Sequence, residues 1–574
     1  MMFSQRLRLN AIKLEGERSS ALDLARGRLV LMSGFFILVY MVFAVRAFDL
    51  AVIQGQTSYK PDTQMAEYVP QQAPAKDTRR ADIVDRNGAL LATTLKTSSL
   101  YADSRLIADA KTAAQSLVQI FPDLKYGDVL QKLQSGKRFE WIKRNISPDQ
   151  QYQVLQIGEP GLEFEESYKR FYPQGELAAH LLGYSNIDAQ GLSGVERSFN
   201  RHLNEGHNLK LTLDVRLQHV LKRELISAMN EFEAEAATGA IMDVATGEIL
   251  AGVSLPDFNP HSPGKADQDS VFNRLTLGVY ELGSVFKIFS TAGFFERHDV
   301  PMGTTFDATE PIKAGRFTIN DYHAEDRVLT VPEVFMYSSN IGSALMGQAV
   351  GTDGLRKFYS DLGLLSPLDF EVREVGRPMV PSPWREVNTL TASYGHGLAT
   401  TPLQLITAVS SIVNGGYLVR PSLVMQDEPP EDVKEDIRVV SAKTAQRMRQ
   451  LLRLVVTDGT GKNADVKGYR VGGKTGTAEK IVDGRYDNKK KISSFIGVFP
   501  MDAPRYAVFV MVDEPKGQKH TFGYATGGWV AAPAVSRIVA SMASILGIAP
   551  VREDAPENRF GESLKRYVSV KGAG

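Results

Sequence analysis

With 574 residues, 43% of them hydrophobic and 23% charged, the chain is long enough for more than one packed core. Lys+Arg and Asp+Glu both total 66, a balance that gives no reason to expect a nucleic-acid partner. No cysteine is present, which excludes disulfides, thiolate metal sites, iron–sulfur clusters and a cysteine nucleophile.

The first patterned element is the run Leu29–Val45, free of charge and bracketed by Arg28 and Arg46. Continued by Ala47–Ile53, it approaches the roughly 20 apolar residues that a bilayer requires. Residues 1–28 carry six Lys/Arg against three Asp/Glu, which predicts a cytoplasmic N-terminus and an outward-facing bulk. The rival is a cleaved signal peptide, with Val45 and Ala47 as a cleavage site, but the apolar run exceeds a signal core of about 7–15 residues. The expected organisation is a cytoplasmic segment 1–28, a single transmembrane helix 29–50 and a proline-bearing tether 51–78. An elongated domain 79–206, a larger domain 207–548 and a loose charged tail 549–574 follow.

Within 79–206, helices are expected around Asp109–Phe121 and Pro148–Gln156. Asp214 should cap an amphipathic helix with Leu217, Val220, Leu221, Leu225 and Met229 on its apolar face. Strands Gly239–Val244 and Glu248–Val253 follow, joined by an Ala245-Thr246-Gly247 turn. Helices fill the middle; Tyr469–Gly473, Ser493–Phe499 and Tyr506–Val512 read as strands, and Ala534–Leu546 as a last apolar helix. This order predicts a mixed α/β domain whose sheet is closed by both ends of the segment.

Gly468–Thr475 formally matches the phosphate-loop pattern, and Val508–Asp513 mimics a strand ending in a magnesium-binding aspartate. A phosphate loop must open into a helix, whereas Thr477–Lys491 reads as a charged hairpin loop, so nucleotide binding is excluded. A set of three carries more information. Ser284-Val285-Phe286-Lys287 places a hydroxyl and an amine three residues apart on one helical face. Serine needs a base, and lysine can serve only if burial or a nearby cation lowers its pKa. Lys474, in Lys474-Thr475-Gly476, supplies that cation if its strand faces the helix; Ser338-Ser339-Asn340 adds a relaying hydroxyl and an amide. Singly these residues are helix caps, turn formers or a bulged strand; in the order S-x-x-K, S-x-N, K-T-G they are specific.

With these motifs the chain resembles the class B penicillin-binding proteins, and within them the division-type members, from about Arg79 to Gly547. Arg80–Gly88, Arg170–Gly175 and Gly191–Glu196 resemble the three pedestal motifs of that family. Asn273-Arg274, Ser393–Leu398, Thr401–Gln404 and the run Tyr172–Tyr184 extend the likeness. Ala81 stands where glycine is usual and Leu282 where proline is common; neither performs chemistry.

The resemblance implies a penicilloyl-serine transferase fold, an antiparallel sheet flanked by helices, on a dimerisation-type pedestal. It implies a peptidoglycan D,D-transpeptidase of septal wall synthesis, with Ser284 as nucleophile and Lys287 as base. Ser338 and Lys474 would return a proton to the departing D-alanine, and Asn340 would orient Lys287 and the substrate amide. The Ser284 and Thr477 amides would form an oxyanion hole, Thr475 and Thr477 would hold the substrate carboxylate, and Gly476 would leave room for it. No metal or cofactor is implied. The implied partners are stem peptides ending in D-Ala-D-Ala, β-lactams, division proteins and a SEDS-family glycan polymerase, at the bacterial inner membrane with the catalytic domain in the periplasm. A class A β-lactamase would be about half as long, a D-alanine carboxypeptidase would carry its catalytic domain first, and a bifunctional enzyme needs a glycosyltransferase domain for which 54–206 is too short. An elongation-type transpeptidase remains a sibling alternative, and a non-catalytic division scaffold or β-lactam sensor the alternative of another class.

Overall fold

The computed structural model describes residues 32–34, 36–42, 44, 79–315, 317–426, 437–482, 485–552 and 555–569. The segments 1–28 and 51–78 lie outside the described residues, as do residues 29–31, 35, 43 and 45 of the apolar run. The described stretches of that run, 32–34 and 36–42, are helical with mainly exposed side chains. Among the described residues no helix is long and apolar enough to cross a membrane.

Beyond residue 79, the long strand Leu90–Ala102 organises the first sheet, pairing antiparallel with Glu140–Ile146 and Leu162–Phe171. Helices Ala110–Ile120, capped by Asp109, and Pro148–Leu155, capped by Ser147 with proline at its first position, form in the two stretches expected to be helical. Leu100, Leu117, Phe121, Val129 and Ile142 make a separate small core here. At the base, the motif residues converge on a buried carboxylate. Glu196 accepts from Arg80 Nε at 2.8 Å and from Arg170 Nε at 2.7 Å, with all three side chains buried. Ile83, Leu91, Leu181 and Val195 join the same core as Phe286 and Phe289, so this base is continuous with the larger domain.

That domain is built on a five-stranded antiparallel sheet in the order Gly472–Val482, Arg485–Phe499, Tyr506–Asp513, Ala236–Asp243, Ile249–Leu255. Both ends of the segment contribute, as the element order predicts. Helices Val215–Glu231, capped by Asp214, and Ala531–Ile545 pack together on one face, sharing a core with Val508, Val510 and Val512. On the other lies a helical layer including Lys287–His298, Pro402–Val413 and Ala442–Thr457.

Two expectations are corrected. The strand predicted at Tyr469–Gly473 begins at Gly472 and runs to Val482, and the charged stretch that follows continues the ladder instead of forming a loop. Its charges pair across strands: Lys480 meets Asp513 at 3.0 Å, which also disposes of the mock magnesium aspartate. The tail is also packed in part. Leu564 is 2% exposed, the Tyr567 carbonyl accepts from Thr330 Oγ1 at 2.8 Å, and Ser569 N–H donates to Glu333 at 2.8 Å. A buried leucine and two satisfied backbone groups anchor a segment whose charge alone suggested looseness.

Candidate active site

Gly283–Phe286 is a 3₁₀ turn leading directly into the helix Lys287–His298. Three residues per turn place Ser284 and Lys287 one above the other. The turn is squeezed between glycines. Gly395, at φ +87°, lies so close that a Cβ there would sit 2.0 Å from the Gly283 carbonyl oxygen. A Cβ on Gly476 would fall 2.6 Å from the Leu282 carbonyl and 2.7 Å from Val285. The missing side chain of Gly476 makes room for the Gly283–Phe286 turn.

The second motif splits its work among three residues. Ser338 ends the helix Val331–Tyr337 in the left-handed region, φ 62°, a conformation costing a non-glycine residue about 1–2 kcal/mol. Ser339 caps the next helix, Asn340–Val350, accepting from Gly342 N–H at 2.9 Å. Asn340 is its first residue, and its amide is fully oriented: Oδ1 accepts from Lys287 Nζ at 2.8 Å and Nδ2 donates to the Asn320 carbonyl at 2.8 Å.

Lys287 is fully buried and donates to Ser338 Oγ at 3.0 Å, to the Ser338 carbonyl and to Asn340. Lys474, also fully buried, donates to the same Ser338 Oγ at 2.9 Å from the opposite side. One hydroxyl thus bridges two amines. Burial, then the Lys474 charge, push the Lys287 ammonium well below the usual lysine range, with Asp321 opposing; burial brings Lys474 down to about 7. Among the described residues the Ser284 hydroxyl has no hydrogen-bond partner, and such contacts often tighten only when substrate is seated.

Ser284, Ser338, Asn340, Thr475 and Thr477 line one cleft of about 810 Å³. The K-T-G strand is an edge strand, so among the described residues one side of its backbone carries no strand partner. Thr475 Oγ1 lies 2.9 Å from Thr460 Oγ1, and Thr477 Oγ1 accepts from Gly527 N–H at 3.1 Å. The cleft also takes in residues outside the three motifs: Asn320, Asp321, Tyr322 and His323, Thr460, and Trp529, one of three tryptophans. Tyr394 and His396, from the 393–398 run, also line it; burial and then Lys287 hold the His396 imidazole down to about 4. The Asn320-Asp321 turn dipeptide was the available signal for the missed segment. Thr460 follows the Asp458-Gly459 turn, and Trp529 follows a glycine pair.

Residues 237–540 match the penicillin binding protein transpeptidase domain, and 75–210 the penicillin-binding protein dimerisation domain. The chain is 40% identical over 483 residues to the probable peptidoglycan D,D-transpeptidase FtsI of Caulobacter vibrioides, covering 82% of each. It is 29% identical to FtsI of Escherichia coli, over 82% of this chain and 84% of that one. Penicillin binding protein 3 from Mycobacterium tuberculosis, complexed with aztreonam, superposes with a TM-score of 0.66 at 25% identity, over 83% of this chain and 97% of that one. The two matched domains and the cover of the Caulobacter relative answer the same question: the chain belongs to the class B penicillin-binding proteins, with a dimerisation domain followed by a transpeptidase domain.

Proposed function

We propose that this chain is a serine-type peptidoglycan D,D-transpeptidase of septal wall synthesis, acting through an acyl-enzyme on Ser284. The observation that carries the reading is the Lys287–Ser338–Lys474 chain of hydrogen bonds beside Ser284 in one cleft.

The Ser284 oxygen attacks the penultimate D-alanine carbonyl while its proton passes to neutral Lys287. Amides of Ser284 and Thr477 hold the developing oxyanion, worth several kcal/mol in such sites. As the carbon–nitrogen bond breaks, the Ser338 hydroxyl gives its proton to the departing D-alanine amine and is resupplied from a lysine beside it. A second stem peptide's amine then attacks the ester, its proton follows the same path in reverse, and Ser284 is released. Thr475 and Thr477 hold the terminal carboxylate. β-Lactams present a strained amide to the same nucleophile and stall at the acyl stage.

Anchoring by residues 29–50, a periplasmic catalytic domain, and contact with a SEDS-family polymerase and other division proteins belong to this proposal. They are supported by the apolar run, its flanking charges and the family likeness. The test is labelling by a fluorescent penicillin followed by mass spectrometry of the adduct. Ser284→Ala should remain folded and unlabelled, and the wild-type adduct should map to the peptide holding Ser284. Undiminished labelling of the variant would sink the assignment.

A further inference from the structure

None of the three motifs contains Asp321, yet it sits where two of them meet. The hairpin Ile312–Ala314/Phe317–Ile319 delivers the segment Asn320–His323 to the cleft wall. Ile319, 3% exposed, anchors that delivery by packing with Ala344, Leu390 and Tyr394. Directly after it, the Asn320 carbonyl accepts from Asn340 Nδ2 at 2.8 Å. Asp321 Oδ1 accepts the backbone N–H of Asn340 at 2.5 Å and of Ile341 at 2.9 Å. These are the first two amides of the helix Asn340–Val350, where an anion is stabilised by unpaired N–H groups and the helix dipole.

On the transpeptidase reading above, we infer that Asp321 is a positioning residue: it clamps Asn340 so that its carboxamide oxygen faces Lys287, and it sets a carboxylate against the charge of that buried amine. The geometry gives each half its reason. With Nδ2 tied to the Asn320 carbonyl and the backbone N–H tied to Asp321, Asn340 can turn only its oxygen to the amine, the acceptor a lysine requires. The titratable groups acting on Lys287 are Lys474 from the facing strand and Asp321 from this segment, with His396 from the glycine loop in electrostatic reach. Of these, Asp321 alone favours the charged amine.

The two halves separate by substitution. Asp321→Asn keeps an oxygen for the two amides and removes the charge; Asp321→Ala removes both. The measurement is the second-order rate of acylation of the full-length protein by a fluorescent penicillin from about pH 5 to pH 9, with thermal midpoints in parallel. In Asp321→Asn the rising acid limb should move to lower pH by about half a pH unit, because Lys287 sheds its proton more easily without the carboxylate. In Asp321→Ala the plateau rate should fall by about tenfold or more as Asn340 loses its clamp. A purely structural carboxylate would change the midpoint and leave the acid limb in place. An unmoved limb in a folded Asp321→Asn overturns the inference, as does an Asp321→Ala plateau within about twofold of wild type. Ser284→Ala is run alongside: its labelling would remove the transpeptidase reading itself, a different failure from an unmoved limb.

Discussion

Lys474 is a cation kept away from water, hydrogen-bonded to Ser338 Oγ and 5.8 Å from the centre of the Phe335 ring. Burial lowers it from 10.5 to about 7 in the folded protein. Between those values the unfolded chain holds a proton that the folded chain has released, so this group makes stability rise with pH across that window. Below about pH 7 the penalty is at its full size. Lys474→Met should therefore unfold at a higher urea concentration than wild type at pH 6, by about 1–2 kcal/mol, with the difference closing toward pH 10. The same variant should lose acylation, and an unchanged urea midpoint would refute the strained-cation account. Lys287 is tested differently. Lys287→Arg keeps a cation and its donors but cannot give up a proton. Its acylation rate should drop by about 10³-fold or more at every pH from about 6 to 9, whereas wild type should gain rate as pH rises and the amine becomes neutral.

At the scale of elements, the glycine squeeze separates close approach from backbone strain. Gly395→Ala brings a methyl to 2.0 Å from the Gly283 carbonyl and should cut acylation by more than about tenfold. Gly363, at φ +75° with open space around it, is the control: Gly363→Ala should cost about 1 kcal/mol of stability and leave acylation unchanged. Equal acylation rates in both variants would argue that the turn tolerates displacement. The elements differ in how well they could be read in advance. Asp214 announces its helix because a cap acts on an amide two residues away. The S-x-x-K pair was equally legible, since three residues is local spacing. The Thr477–Lys491 stretch was not, because its strand pairing depends on cross-strand partners such as Asp513, remote in the chain. Asp321 escaped for a related reason: its value lies in amides nineteen and twenty residues further on.

Across the whole molecule, Glu196 is the carboxylate on which two pedestal motifs close, and its arginines are buried with it. Glu196→Ala leaves two buried guanidinium groups without their anion and should cost about 3–5 kcal/mol, read as a lowered thermal midpoint with early proteolytic cleavage near Arg80 or Arg170. Penicillin labelling at low temperature should persist, because neither arginine reaches the cleft. Loss of labelling in a folded variant would show instead that the junction governs the distant site.

The turn held between Gly395 and Gly476 also bears on how such a protein can evolve. Main chain presses on main chain there, so an inherited change at those positions would disable the enzyme before it could exclude an inhibitor. Under antibiotic selection, tolerated change should accumulate around the mouth of the cleft, where Tyr322 is 66% and Tyr524 42% exposed.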